Sequence, residues 1–325
     1  MCSVGLNLRS RYKVFFGIKS FLKILIPARF RSFFKILIST RYRIPYYLVV
    51  DEYVRSRWSQ LCVEWQWQRK SGGRPHRLPA PLVVSLTSYP PRFGTLSLTL
   101  RSLLLQTVKA DRTILWIAHA DIPLLPKDVT DLQAAGLEIR TTDDMRSYKK
   151  IIPALDAFPD AFICTADDDA YYWPTWLGQL EEEQLEEGAR MTERIVVCHR
   201  AHEITLDAEG RFRPYEQWLL DVFKEEKSKL LFPTGLGGVL YPPGILTHMV
   251  DDREAALTLC PHNDDIWLYW IGRRNGATYK TIGRSRGFPL WHGSQGQSLW
   301  HTNFELGGNN DQIRKMAERY GYPAT

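Results

Sequence analysis

Cysteine is scarce in this sequence and shows no pairing pattern. Five cysteines are spread over 325 residues, and neither a CxxC nor a CxxH pair occurs. These spacings argue against a zinc site or a disulfide framework and favour a reducing compartment. Phosphate-binding glycine fingerprints are also missing, because the sequence contains neither GxGxxG nor GxxxxGKS/T. The chain is nevertheless long enough to bury a sizeable core without covalent cross-links.

Acidic residues are missing from the first 50 positions, which hold ten Lys or Arg. The rest of the chain has 32 basic and 36 acidic residues, a net charge of −4 against the overall +6. The basic character therefore belongs to the N-terminal segment alone. A nucleic-acid partner is not predicted, because the high overall pI does not describe the body of the protein.

No uninterrupted apolar run approaches the roughly 20 residues that a membrane-spanning helix needs. Instead, residues 18–25 and 30–37 each carry an apolar stripe at helical spacing with basic residues between, and Pro27 separates the two stretches. We expect residues 1–45 to lie on an anionic membrane, which predicts a cytoplasmic protein that is peripheral at the inner face of the cell membrane. A helical extension packed on the body or on a partner chain, and an organelle transit peptide, remain open alternatives.

The domain prediction is a basic helical segment over residues 1–75, with a helix at 51–70, followed by one α/β domain over 80–325. Glycines and prolines between residues 71 and 81 mark the boundary. Beyond it, apolar strands alternate with helical patterns, which predicts a mostly parallel sheet flanked by helices. The predicted strands are 82–86, 113–117, 137–140 and 161–165; the helices are 96–106, 127–135 and 147–157. The acidic run at 181–187 is interpreted as the solvated face of a further helix.

Three successive aspartates, Asp167, Asp168 and Asp169, follow the fourth predicted strand. In such sheets ligands bind outside the carboxyl ends of the strands. Adjacent carboxylates repel one another unless they are solvated, protonated or neutralised by a cation, and oxygen ligands suit Mg²⁺ or Mn²⁺. An acidic turn or a helix N-terminus capped by Asp is the alternative. The position after a buried strand favours the cation site.

With this triplet as a DxD motif, residues 83–316 resemble the GT-A class of glycosyltransferases, in particular bacterial enzymes of surface-polysaccharide (capsule and lipopolysaccharide) assembly. The resemblance implies a GT-A, Rossmann-like fold and a nucleotide-sugar donor, with a UDP-sugar as the first choice. Asp169 is then the leading metal ligand, Asp167 a second one, and Asp167 and Asp168 also contact the donor.

Two motifs on the donor side carry the resemblance further. The segment VVSLTSYPPR at 83–92 is similar to the family's first strand and nucleotide loop. A lysine in YKKIIPAL at 148–155 is similar to one near the donor, and a cation at a helix N-terminus suits phosphate. A turn between strand and helix, and an exposed lysine pair, remain alternatives. The implied donor contacts are Thr87, Ser88, Tyr89, Arg92, Lys150 and, more weakly, Asp144.

Two motifs on the acceptor side follow. The segment TGLGGVLYPP at 234–243 resembles the family's glycine-bearing sugar and acceptor region, where glycine lets the backbone approach a ligand. The segment HNDDIWL at 262–268 resembles the acidic motif that opens a helix below the acceptor. In inverting enzymes a carboxylate there takes the proton of the acceptor hydroxyl. Asp265 and Asp264 are both candidates for this base, and N-capping of the helix by Asn263 or Asp264 is the alternative.

Late in the chain, relatives often place a histidine or an asparagine-rich segment over the diphosphate. His301 is the candidate metal ligand there, with Asn303 beside it and His292 as a weaker candidate. The predicted function is sugar transfer from a nucleotide diphospho-sugar to a glycan or lipid-linked acceptor, and inversion of configuration is inferred from the base motif. A metal-dependent phosphohydrolase or nucleotidyltransferase, and a non-catalytic glycan-binding protein, are the rival hypotheses.

Overall fold

A computed structural model describes residues 43–69, 72–188, 194–222, 224–247, 252–283, 287–294 and 307–324. Residues from Arg55 onward form one compact unit, and the preceding unit ends at Val54. The predicted amphipathic stretches at 18–37 and the candidates His301 and Asn303 lie outside the described residues. No helix in the described part is long and apolar enough to cross a membrane.

The helices confirm most of the pattern seen in the sequence, with shifted ends. The predicted helix at 96–106 forms over Phe93–Leu104, and the one at 147–157 forms as a 3₁₀ turn at Arg146–Lys150 followed by a helix at Ile152–Ala157. The α-helices are α1 (Arg43–Gln68), α2 (Phe93–Leu104), α3 (Lys127–Thr130), α4 (Ile152–Ala157), α5 (Trp176–Gly188), α6 (Arg253–Leu259), α7 (Asp264–Arg274) and α8 (Gly308–Tyr320).

The strands confirm the α/β class. The four predicted strands all form, over Leu82–Thr87, Arg112–Ala118, Leu137–Thr142 and Phe162–Thr165. The described strands are β1 (Arg74–Pro75), β2 (Leu82–Thr87), β3 (Val108–Lys109), β4 (Arg112–Ala118), β5 (Leu137–Thr142), β6 (Phe162–Thr165), β7 (Arg194–Cys198), β8 (Ala201–Glu203), β9 (Leu219–Val222), β10 (Glu225–Ser228), β11 (Leu231–Pro233), β12 (Val239–Tyr241) and β13 (Ala277–Ile282).

The central sheet has eight strands in the order β10-β13-β7-β12-β6-β2-β4-β5. The pairs from β6 through β2 and β4 to β5 are parallel, as is β13 with β7. Only β12 and β10 pair antiparallel with their neighbours in this sheet of the described residues. The mostly parallel sheet flanked by helices, as the GT-A resemblance implies, is confirmed. A smaller sheet, β11-β8-β9, precedes the glycine-bearing segment.

Apolar clusters cover both faces of the central sheet. One cluster packs α4, α7 and α8 with the small sheet, and the other packs α2 and α5. Strand β2 is buried over Leu82–Leu86, which is why it reads as a continuous apolar run rather than an alternating one. The two layers hold the carboxyl ends of the parallel strands in fixed positions.

The acidic run at 181–187 corrects one prediction. It is helical, as part of α5, and Glu182 and Glu186 are exposed as predicted, but the run is not solvated throughout. Glu181 and Glu187 are both buried. Glu181 pairs with Arg74 at 2.5 Å, and Glu187 pairs with Lys280 at 3.1 Å. Buried carboxylates need such partners. Arg74 and Lys280 lie 107 and 93 positions along the chain from the glutamates with which they pair.

Candidate active site

The chain reverses its strand order between β2 and β6. Strands β2, β4 and β5 lie successively outward on one side, and β6 then pairs with the other side of β2. Ligands bind in the crevice at such a switch point. The backbone N–H of Ala166, the first residue after β6, donates to the carbonyl of Ser85 in β2 at 3.1 Å, which extends the pairing of the two strands to the start of the acidic loop. The loop after β2 and the acidic triplet after β6 therefore meet at one place.

Arg92, from the loop after β2, holds two carboxylates of the triplet. Its guanidinium forms an ion pair with Asp169 and lies 3.4 Å from Asp168. The hydroxyl of Ser88 donates to the other oxygen of Asp168 at 2.5 Å. Burial raises the pKa of Asp168 to about 6; Asp169 adds to the rise, while Arg92 and Ser88 oppose it. The predicted donor-binding residues Ser88 and Arg92 thus contact the predicted acidic motif.

Lys150 joins the triplet to the start of α7. Its Nζ lies 2.9 Å from Asp167 and 3.1 Å from Asp264. The backbone carbonyl of Lys150 accepts a hydrogen bond from Ser85 Oγ at 2.5 Å, and the Trp116 indole donates to the same hydroxyl. Burial alone would lower the pKa of Lys150, but the surrounding carboxylates outweigh it and raise that pKa well above its ordinary value. The lysine is therefore a fixed cation between two acidic segments.

Asp265 and Asp264, at the first turn of α7, occupy different environments. Both carboxylate oxygens of Asp265 lie 3.1 Å from the backbone N–H of Gly235, which donates to them. Asp264 is buried and pairs with Lys150. Burial raises the pKa of Asp265 to about 7; Asp264 adds to the rise and Lys150 opposes it. Asn263 caps the helix by accepting from the N–H of Asp265, so neither aspartate is needed as the cap.

Gly235 stands where three of these groups converge. A Cβ at this position would lie 3.0 Å from Lys150 Nζ and 3.3 Å from one oxygen of Asp167 and one of Asp265. The glycine-bearing segment was predicted to allow a close approach of the backbone. In the structure the groups that approach it are the charged side chains of the site. The acceptor-side and donor-side motifs therefore form a single cluster.

Two residues that the sequence did not single out, Tyr172 and Thr99, hold the triplet's backbone. The hydroxyl of Tyr172 accepts from the N–H of Asp167 at 2.8 Å. The buried Thr99 hydroxyl donates to the carbonyl of Asp168 at 2.8 Å and accepts from the indole of Trp291 at 2.7 Å. Neither Tyr172 nor Thr99 lies in a recognisable motif, and their roles follow only from the contacts made by chain folding.

The remaining predicted residues lie around this cluster or away from it. Tyr89 hydrogen-bonds to the Arg92 side chain. Thr87 donates to a main-chain carbonyl of β4 at 2.8 Å. Asp144, which follows β5 at the same end of the sheet, pairs with Lys149 rather than Lys150, at 2.9 Å. His292 is exposed. Contacts of these residues with a nucleotide stay predictions.

The site retains excess negative charge, which suits a divalent cation. Five carboxylates and two cations meet here among the described residues, an excess of three negative charges in the ionised state. No group of three or more His, Cys, Asp or Glu in the described chain is arranged to hold a metal alone. A cation bound with a nucleotide needs only one or two carboxylates, because phosphate oxygens supply other ligands. Asp167, whose side chain is 31% exposed, is the most accessible of the triplet.

Asp168→Asn is expected to stabilise the metal-free protein at pH 8. The pKa of Asp168 is about 6 in the folded protein against an ordinary 3.8, so the folded state binds the proton more tightly. Its ionisation therefore lowers the free energy of unfolding as the pH rises from about 4 to 6, and the full penalty persists above that. Removing the charge should recover about 1–3 kcal/mol at pH 8 and little at pH 4. Urea unfolding in EDTA, with the exposed Asp156→Asn as control, measures this; a destabilised variant at pH 8 would contradict it.

No protein-family model matches the sequence, and no curated protein matches it either. The chain is similar in structure to residues 1–349 of S. aureus TarS, with 13% identity and a TM-score of 0.40 over 65% of this chain. It spans 60% of the length of that TarS chain. It is also similar to a CMP:2-keto-3-deoxy-manno-octonic acid synthetase complexed with CTP, with 11% identity and a TM-score of 0.34 over 64% of this chain and 89% of the other. At these values neither similarity assigns an activity.

Proposed function

We propose that this protein transfers a sugar from a nucleotide diphospho-sugar to a hydroxyl of a glycan or lipid-linked acceptor. The observation that carries the proposal is the meeting of three segments at the switch point between β2 and β6. These are the loop with Ser88 and Arg92, the triplet at 167–169, and the acidic start of α7, connected through Lys150. Such a site presents both an anion-binding side and a base.

On the donor side, Asp167 and Asp169 are the residues that would hold Mn²⁺ or Mg²⁺. When bound, the cation offsets negative charge on the departing nucleotide diphosphate. Arg92 and Lys150 add fixed positive charge beside the same carboxylates. Arginine presents a planar set of donors to phosphate oxygens, so Arg92 suits the diphosphate as well as its present partners.

On the acceptor side, Asp265 is the base. A base works best when its pKa is close to the operating pH, because it must be ionised yet basic enough to take a proton. The pKa of Asp265 is about 7, and the Gly235 N–H holds its carboxylate in one orientation. Asp264 is committed to Lys150. As Asp265 takes the proton, the acceptor oxygen bonds to the anomeric carbon on the side opposite the leaving group, and the bond from that carbon to the diphosphate oxygen breaks, which inverts the configuration.

A thermal-shift experiment tests donor binding. The full chain is heated with UDP-, GDP- and CDP-sugars, each with Mn²⁺ or with EDTA. We expect one nucleotide to raise the melting temperature in Mn²⁺ by several degrees, since binding to the folded state alone adds about 2.7 kcal/mol at one hundred times Kd. The rise should disappear in EDTA and in Asp167→Asn. Absence of any metal-dependent rise in melting temperature would overturn the proposal. In an activity assay, nucleotide release without transfer of the sugar to an acceptor would favour a phosphohydrolase.

A further inference from the structure

Helix α1 presents an apolar stripe to solvent. Trp58, Leu61 and Trp65 are 64%, 59% and 58% exposed. They are spaced by three and four positions, so they lie on one side of the helix. Large apolar side chains that are exposed together, rather than singly, mark interaction surfaces. We call these three residues the α1 stripe.

The opposite side of the same helix packs on the protein body. Ser56, Ser59 and Val63 are buried, with exposed fractions of 5% or less. The hydroxyl of Ser56 accepts a hydrogen bond from the backbone N–H of His292 at 2.8 Å. The rotation of α1 about its axis is therefore set by packing, and this rotation turns the α1 stripe away from the body.

The charges beside the stripe favour an anionic surface. Residues 43–69 hold four basic residues, Arg43, Arg55, Arg57 and Arg69, against three acids, Asp51, Glu52 and Glu64, a net charge of +1. The guanidinium of Arg69 lies over the ring of Trp65 at 4.5 Å. The sequence that leads into the helix holds ten Lys or Arg and no acid over its first 50 residues. Tryptophan next to basic side chains is the composition of helices that lie in the headgroup region of a bilayer.

We propose that the α1 stripe binds the surface of a bilayer that contains anionic phospholipid. Its tryptophan and leucine side chains enter the boundary between headgroups and acyl chains, and Arg57 and Arg69 meet lipid phosphates. This surface is distinct from the segment at 1–45, because it belongs to the folded unit that begins at Arg55.

The contacts of α1 connect this surface to the active site. His292, which bonds Ser56, follows Trp291, and the N–H of Trp291 donates to the carbonyl of Asp169 at 2.9 Å. A helix fixed on the membrane would therefore hold the acidic triplet at a set distance from it. The link between the membrane and the active site rests on the proposed function, because it places the site beside a lipid-linked acceptor. Membrane binding by the α1 stripe does not rest on it.

Vesicle binding of the full chain tests the surface directly. The protein is sedimented with vesicles of 30% phosphatidylglycerol in phosphatidylcholine and with pure phosphatidylcholine. We expect Trp58→Ala/Leu61→Ala/Trp65→Ala to weaken binding to the anionic vesicles at least tenfold. The control Leu124→Ala/Leu219→Ala removes side chains of similar exposure, 59% and 56%, and should bind as the parent protein does. Equal binding by the triple variant, or equal loss in the control, would overturn the proposal.

A second measurement keeps the test independent of folding defects. Trp58→Phe/Trp65→Phe preserves an apolar aromatic surface and should bind the same vesicles within about threefold. With brominated acyl chains, however, most of the fluorescence quenching seen in the parent should be lost. Undiminished quenching would show that other tryptophans enter the lipid and would overturn the proposal. The proposal would also be overturned if the triple variant kept its vesicle affinity and was a monomer where the parent protein is a dimer. The thermal shift with nucleotide-sugars does not depend on any of these results.

Discussion

Replacing Asp265 by asparagine is expected to lower kcat about 10²–10⁴-fold while donor binding persists. Asparagine keeps an oxygen that can accept from the Gly235 N–H, now 3.1 Å from both carboxylate oxygens of Asp265, so the local structure should survive. What disappears is the group that takes the acceptor proton. The measurement is steady-state transfer kinetics, with nucleotide-sugar affinity determined separately by calorimetry.

The neighbouring carboxylate supplies a matched control for this experiment. Asp264 is buried and pairs with Lys150 at 3.1 Å. Asp264→Asn should therefore clearly lower the free energy of unfolding and have only a small effect on kcat. The exposed Asp156→Asn should change neither quantity. Because Asp265 must be ionised to act, kcat/KM of the parent should rise with pH through about 7, the pKa of that carboxyl. A kcat in Asp265→Asn within fivefold of the parent would refute its role as the base.

Lys150→Met is expected to lower the free energy of unfolding by about 3–5 kcal/mol and to reduce transfer severely. The side chain of Lys150 is 6% exposed and lies between Asp167 and Asp264. Removing one member of a buried ion pair leaves the other charges uncompensated, which is the costly case. Since Lys150 also lowers the pKa of Asp265, its loss should move the acidic limb of the kcat/KM profile to higher pH.

Lys149→Met is the matched control for this variant. Lys149 is its chain neighbour and is similarly buried, but it pairs with Asp144, whose side chain is 67% exposed. Water can solvate Asp144 after the lysine is lost, so the stability change should be clearly smaller. The acidic limb should also stay in place. Chemical denaturation and a pH series of kcat/KM measure both effects; similar losses in the two variants would contradict the role assigned to Lys150.

The fold and the position of the acids followed from local pattern. Strand patterns of four or five residues between helical patterns predicted β2, β4, β5 and β6, and all four form. Because the triplet follows β6 directly, its place at the carboxyl edge of the sheet was implied by the chain itself. The motif at 262–268 likewise predicted a helix that begins beside Asp264 and Asp265, as α7 does.

The partners of these residues did not follow from local pattern. Arg92 was expected to contact base and ribose, and its contact with a nucleotide stays a prediction, but its guanidinium holds Asp168 and Asp169. Lys150 was expected at a phosphate and is found between Asp167 and Asp264. Each pair joins segments separated by 17 to more than 100 positions, and no spacing rule specifies which carboxylate a lysine will reach.

Hydrophobic periodicity and the order of charges along the chain determined the α/β class, the strands that end at the site and the basic character of the first 50 residues. The sequence was enough here because each of these is a property of neighbouring positions. Tertiary packing alone decided that Asp265 rather than Asp264 faces Gly235, that Glu181 and Glu187 are buried, and that the α1 stripe faces outward. The physical reason is that burial and pairing depend on which distant segments are brought together, and the pKa of each buried carboxyl follows from that environment.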